Sequence, residues 1–368
     1  MSKLFFMHNL NLIVENFKIN AEVDSAIPFG EGMINSTYRI KLKNSKTEYI
    51  LQKINHHIFK DIDLLQDNIK RITDHIRFKL KEAGETDIER KSLTLIPTND
   101  DKLYYFDGEN YWRMTVLIPD SKTYEAVTPE YAYYAGKTFG NFQSMLADLP
   151  GEPLGEIIPN FHNMEFRLIQ FREAVKQDAV GRLSEVSDLV DQVEMRADEM
   201  CQCERLYREG KLPKRINHCD TKVNNMLFDE NGNVLCVIDL DTAMPGFVMS
   251  DYGDFMRTAG NTGKEDDIVL ENVSFNMQIF EAYTKGYLES AKDFLIPLEI
   301  GLLPFGAKLM TYMQLTRFLA DYLNGDIYYK INNPLHNLQR SKAQFKLLLS
   351  IESKYQEMQK FIQFNSNL

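Results

Sequence analysis

The eight residues HCDTKVNN, 218 to 225, bring together the groups that transfer of a phosphoryl group to a hydroxyl would need. Asp220 can orient the acceptor hydroxyl and receive its proton. Lys222 can set positive charge beside the moving phosphoryl group. Asn225 offers an oxygen to Mg²⁺ from the same loop. His218 suits bracing the loop by hydrogen bonds. In VIDLD, Asp239 follows 14 residues after Asn225 and Asp241 two residues later. The intervening DENG (229–232) is a turn signal, so NMLF and LCVID should pair as a hairpin and carry Asp239 back towards Asn225.

Other chemistries lack their parts. No G-x-S-x-G elbow is present for a serine hydrolase, and no H-E-x-x-H for a metal hydrolase, with seven histidines spread along the chain. The order of residues instead fits the kinase catalytic-loop pattern H-x-D-x-x-x-x-N, and Asp239 stands where the metal-binding Asp of that class follows. FGEGMINSTYRIKL supplies Gly30 and Gly32 at a turn, then Asn35, Ser36 and Thr37 entering a strand. The backbone N–H groups of such a turn can cradle phosphates, although an ordinary β-turn reads the same way. In EYILQKIN, either Gln52 or Lys53 falls where a phosphate-pairing Lys is expected, and neighbours on a strand face opposite ways. The next helix offers Gln66, Asp67 and Asn68 there, and no Glu.

These groups need elements to hold them. INSTYRIKL and EYILQKI are strand-like, joined by the KNSKT turn. DIDLLQDNIKRITDHIRFKLKEAG spaces Leu64, Leu65, Ile69, Ile72, Ile76 and Leu80 as an amphipathic helix that Gly84 can stop. SLTLIPT, LYYF and YWRMTVLI read as three further strands. From Tyr131 onward the pattern is mostly helical, interrupted by the hairpin. The expectation is an α+β chain with two parts. Residues 1–118 form a small antiparallel β-sheet lobe with one helix, for a nucleotide. Residues 119–368 form a larger, mainly helical lobe carrying the catalytic loop. The cleft between them is the expected ligand site.

Composition narrows the partners. Of 368 residues, 44% are hydrophobic and 26% charged, enough apolar material for a sizeable core. A formal net charge of −11 is the opposite of a nucleic-acid binder's footprint and gives no attraction to anionic membranes. Four cysteines suggest no disulfide framework; Cys201 and Cys203 form a C-x-C pair without a second Cys/His pair at zinc spacing. The N-terminal apolar patch is too short for a signal segment, and no window approaches 18 apolar residues. A cytoplasmic protein acting on small molecules is expected.

HCDTKVNNMLFD with VIDLD resembles the aminoglycoside phosphotransferase and choline kinase-like superfamily, whose usual loop is H-G-D-x-x-x-x-N followed by I-D. Cys219 here takes the place of that Gly. Within the superfamily the chain is similar to the N-acetylhexosamine 1-kinases in CVIDLDTAMPG, DYGDFMR, YILQKIN, PNFHN and RFLADYLNGDIYYKINNPLHNLQRSKAQFKL. These segments span most of the chain. The resemblance implies a protein-kinase-like bilobal fold and ATP- and Mg²⁺-dependent phosphorylation of an anomeric sugar hydroxyl. It makes Asp220 the base and Asn225 and Asp239 the metal ligands. Gly30, Gly32, Asn35 and Lys53 are the candidates on the nucleotide side from the turn and strand read above. For the sugar it points to Arg317, Asp321 and Tyr322. Arg317 and Asp321, four apart, share a helix face and can pair with each other or with sugar hydroxyls. Asn35, Asp254 and Arg257 are further sugar candidates, and Asp251 suits bracing the loop. Other kinases of this fold, acting on amino alcohols, homoserine or aminoglycosides, are the alternative, and a non-catalytic nucleotide or sugar sensor is a third reading.

Overall fold

The computed structural model describes residues 10–30, 34–124 and 127–366. Gly32 lies outside them. The chain folds as two compact units: one of residues 1–123, 148–158 and 226–243, the other of residues 124–147, 159–225 and 244–368.

The first unit is built on an antiparallel sheet of β1 (Val23–Pro28), β2 (Ser36–Leu42), β3 (Glu48–Ile54), β4 (Leu95–Ile96), β5 (Tyr105–Phe106) and β6 (Tyr111–Val116). Its order is β1-β2-β3-β6-β4, with β5 also on β6. β1 is an addition to the strands expected from the sequence; VDSAIP buries only Ala26 and so carries a weak alternation. One face of the sheet presents Ile40, Leu42, Leu51, Trp112 and Met114 to Leu10, Ile13, Val14 and Phe17. Lys53 pairs with Trp112 and shares the parity of Leu51, so it sits on that face. Gln52 pairs with Arg113 and occupies the other.

The Ile62–Glu82 helix buries Leu65, Ile69, Ile72 and Ile76. Asp61 caps it by accepting from Leu64 N at 2.9 Å, and Gly84 follows its end with φ 71°, a conformation that favours glycine. Asn68 donates from this helix to the carbonyls of Gly155 and Ala243, tying in both later segments of the unit. The second of these is the expected hairpin, β8 (Met226–Phe228) with β9 (Val234–Val237). Its turn is closed by Asp229, whose Oδ1 accepts from Asn231 N and Asn233 N.

The second unit is helical apart from β7 (Arg215–Asn217), paired with β10 (Met244–Gly246). Two helix pairs form its interior. Pro129–Leu146 lies on Met277–Ala291, and Val248–Ala259 on Leu303–Leu323. Both crossings depend on glycine. A Cβ on Gly136 would stand 2.0 Å from the Tyr283 carbonyl oxygen, and one on Gly286 2.0 Å from that of Tyr133. At the second crossing, Gly253 and Gly306 let the two backbones touch in the same way. His336–Ser366 packs along Leu303–Leu323 and buries Leu338, Leu347, Leu348 and Ile351. No helix among the described residues is long and apolar enough to cross a membrane.

Candidate active site

The 218–225 loop leaves β7 and is held from behind by the Val248–Ala259 helix. Asp251, in the first turn of that helix, accepts from His218 N at 2.7 Å and Cys219 N at 2.8 Å, while Gln143 donates to the same carboxylate at 2.9 Å. Thr221 Oγ1 donates to the Asp251 carbonyl at 2.6 Å, and Thr221 N donates to Asp254. Asp251 therefore has the bracing role anticipated for it. Burial pushes its carboxyl up to about 6, against the pull of His218 and these donors. Cys219 has φ 64°, which explains why a glycine suits this position and why a side chain here is strained. His218 is fully buried, its ring edge-on to Phe139 and Phe142, which fits support and not chemistry.

Asp220 emerges from this brace partly exposed. Lys222 Nζ lies 2.7 Å from its Oδ1, and Asn225 Nδ2 donates to its carbonyl at 2.8 Å and to Oδ2 at 3.2 Å. Burial pulls the Lys222 ammonium down, but Asp220 and Asp254 outweigh it and hold the group above its ordinary value, so it is charged. The Asn225 amide nitrogen is spent on Asp220, and its oxygen is the atom left to coordinate. Asp254 is itself neutralised. Arg257 donates to it at 3.1 Å and also pairs with Glu265. Asp254 stays below the usual carboxylate range because Arg257, Lys222 and His162 offset its burial. The two sugar candidates Asp254 and Arg257 thus serve each other and the loop.

Arg317 and Asp321 share a helix face but do not pair. Asp321 is buried and accepts from Tyr328 N at 2.8 Å, Tyr329 N at 3.0 Å and Asn337 Nδ2 at 2.8 Å. It thereby fixes the segment whose rings surround Arg317. The guanidinium lies over Phe161, Tyr328 and Tyr329 at 5.6, 5.9 and 5.7 Å. Tyr322 turns elsewhere: it is buried, its hydroxyl donates to Glu185 at 2.9 Å, and Arg182 covers its ring. Asp321 and Tyr322 serve the fold, and Arg317 alone of the three keeps unused donors. Beside it, burial and the Arg317 charge push Arg167 down to about 10. Among the described residues neither arginine pairs with a carboxylate; Arg167 donates to the Phe161 carbonyl and Gln170, and Arg317 to Gln314.

His162 lies among these charges, stacked on Phe161 with Nδ1 unpartnered. Burial pushes its imidazole down to about 3, with Asp254 opposing and Arg317, Arg167 and Arg257 adding to the shift. A histidine with a depressed folded value takes up a proton more readily when unfolded, so its contribution is present above pH 6.5 and is lost as pH falls. Lowering the pH from 7 to 5 should remove at most about 2 kcal/mol through this group. A His162→Gln variant should flatten the pH dependence of the melting temperature over that window. An equal slope in both proteins would show that His162 is not its source.

The first unit holds the other acidic residues. Asp239 has φ 60° and opens the tight turn Leu240–Thr242. Asp241 is buried and paired with Arg113 Nη1, and its Oδ2 accepts from Asn35 Nδ2 at 2.5 Å. Arg113 Nε donates to Gln52 Oε1 at 2.9 Å, and Gln52 donates to Thr37 Oγ1 at 3.2 Å. The cation on the Asp241 side of the sheet is therefore Arg113. Lys53, on the opposite face, is removed from that network by strand alternation. Arg113 was missed in the sequence, although YWRMTVLI gave a signal: one charge inside an apolar strand, out of phase with Trp112 and Met114. Asn35 joins the network, and Gly30 precedes it with φ 74° and open space around its α-carbon.

Solved structures share this fold. Over 96% of both chains, the protein is similar to an aminoglycoside phosphotransferase from Alicyclobacillus acidocaldarius, with a TM-score of 0.62 and 11% identity. A spectinomycin phosphotransferase solved with ADP and spectinomycin matches at 0.57 and 13% identity, over 95% of this chain and 98% of that one. An ethanolamine kinase from Plasmodium vivax matches at 0.55 and 13%, over 93% and 85%. The phosphotransferase enzyme family (APH) model matches residues 25–290, a span that holds the braced Asp220 loop, the hairpin and the Asp239 turn; the chain belongs to that family.

Proposed function

We propose that the protein transfers the γ-phosphoryl group of ATP to the anomeric hydroxyl of an N-acetylhexosamine, GlcNAc or GalNAc, giving the sugar 1-phosphate and ADP. The observation that carries the reading is Asp220, an accessible carboxylate on an otherwise immobilised loop, with Lys222 and Asn225 hydrogen-bonded to it. Asp220 takes the proton of the anomeric hydroxyl as its oxygen bonds to the γ-phosphorus and the bond to the β-phosphate oxygen breaks. Lys222 offsets the negative charge gathered on the transferring group. Asn225 and Asp239 present hard oxygen donors, the kind that Mg²⁺ takes, and the Asn225 amide is turned so that its oxygen is available. These two residues would hold the ion, which neutralises the phosphates when bound.

Arg317, in its box of aromatic rings, is assigned to the sugar hydroxyls or the N-acetyl carbonyl. Two arginines without acidic partners favour a neutral acceptor over an ammonium-bearing one. The protein with Mg-ATP is to be offered GlcNAc, GalNAc, glucose, ethanolamine and spectinomycin, with products read by ³¹P NMR. An anomeric phosphate from GlcNAc or GalNAc is expected. Phosphorylation of ethanolamine or spectinomycin alone would overturn the sugar assignment and leave a kinase of another alcohol.

A further inference from the structure

We propose that Arg113 is a positioning residue that fixes the Asp239 turn through Asp241, so that Asp241 acts as a brace and Asp239 as the single carboxylate ligand to the metal from this turn. The inference rests on the phosphotransferase reading above. Both charges are nearly sealed from water, with Arg113 5% exposed and Asp241 3%. A buried carboxylate with one oxygen against a guanidinium and the other capped by Asn35 has little left to offer an ion.

The same carboxylate gathers three stretches of chain. Arg113 comes from β6 and Asn35 from just before β2, and the turn itself follows Asp239. Asn35 is locked in turn, its Oδ1 accepting from Asn55 N at 2.9 Å. The turn is held at its far end too, where the Ala243 carbonyl accepts from Asn68. Asp239 sits at the start of this clamp with φ 60°, a left-handed backbone that Asp tolerates better than most side chains. The Ile62–Glu82 helix supplies no acid to compete for Arg113. Gln66 is buried with neither polar atom hydrogen-bonded, and Asp67 reaches Arg71 instead.

Groups that orient a metal ligand typically contribute 10- to 100-fold to metal affinity. The test is titration of Mn²⁺ in the presence of saturating ADP, followed by EPR, with ADP affinity measured separately in EDTA by calorimetry. Arg113→Met alone leaves Asp241 buried and unpaired and risks misfolding, so the Arg113→Met/Asp241→Asn double variant is made beside it. The expected result in the folded variants is Mn²⁺ affinity weakened roughly tenfold, with metal-free ADP affinity unchanged. Arg113→Lys keeps the charge without the fork and should recover part of the loss.

If metal-free ADP binding falls by the same factor as Mn²⁺ binding, Arg113 touches the phosphates directly and the positioning role is wrong. Unchanged Mn²⁺ affinity in the double variant would reduce the pair to a purely structural contact. Absence of any Mn²⁺–ADP complex in the unaltered protein would remove the phosphotransferase reading itself, and this inference with it.

Discussion

An Asp220→Asn variant should fold normally, bind ATP as before and turn over roughly 10²- to 10⁴-fold more slowly. The asparagine keeps the shape of the side chain and an oxygen to face Lys222, so neither the loop nor its brace should move. What it cannot do is accept the acceptor's proton. The loop is anchored by backbone N–H bonds to Asp251 and Asp254, and Asp220 takes no part in those anchors. The loss should therefore fall on kcat, with thermal stability close to that of the unaltered protein. Turnover that survives the substitution would mean that Asp220 is not the base.

The second large effect is predicted far from any reacting atom. Gly253→Ala places a methyl group 2.0 Å from the Gly306 carbonyl oxygen and 2.8 Å from Met310 Cγ. The first neighbour is backbone and cannot rotate away, so the Val248–Ala259 and Leu303–Leu323 helices must separate. Overpacking of this kind should cost about 3 kcal/mol or more. Because Asp251 and Asp254 ride on the displaced helix, turnover should fall too, although no group that touches substrate has changed. Gly301→Ala is the control: nothing lies within 4 Å of its added Cβ and its φ is ordinary, so it should be close to neutral. A Gly253→Ala protein that melts with the control would show that the helices tolerate the displacement.

Much of this arrangement was legible in the residues. HCDTKVNN and VIDLD are close together in the chain, their spacing is set by a hairpin, and DENG is a strong local turn signal. The long helix of the first unit was readable because its apolar residues recur at helical spacing and a glycine ends it. What escaped notice depended on distant pairing. Arg113 gains its meaning only when Gln52 is opposite it and Asp241 arrives from over a hundred residues later. Gln52 and Lys53 could not be told apart in the sequence because register, not composition, decides which side of β3 faces the network. Arg317 and Asp321 invited pairing by their four-residue spacing, but Asp321 found stronger partners in the backbone of Tyr328 and Tyr329. The 10–17 segment reads as an unremarkable apolar patch until the sheet face that covers it is known.

The order of segments in the two units carries a consequence for synthesis. Residues 1–123 emerge from the ribosome before residues 226–243, which complete their unit. Until Asp241 is made, Arg113 has no carboxylate partner in its strand, and the edge residues Lys122 and Phe228 cannot bridge. The nascent first unit must wait, with part of its polar interior uncompensated, while residues 124–147 and 159–225 of the helical unit are translated. A fragment ending near residue 123 would therefore lack part of its own unit, and exposed surface of this kind makes a growing chain prone to aggregation.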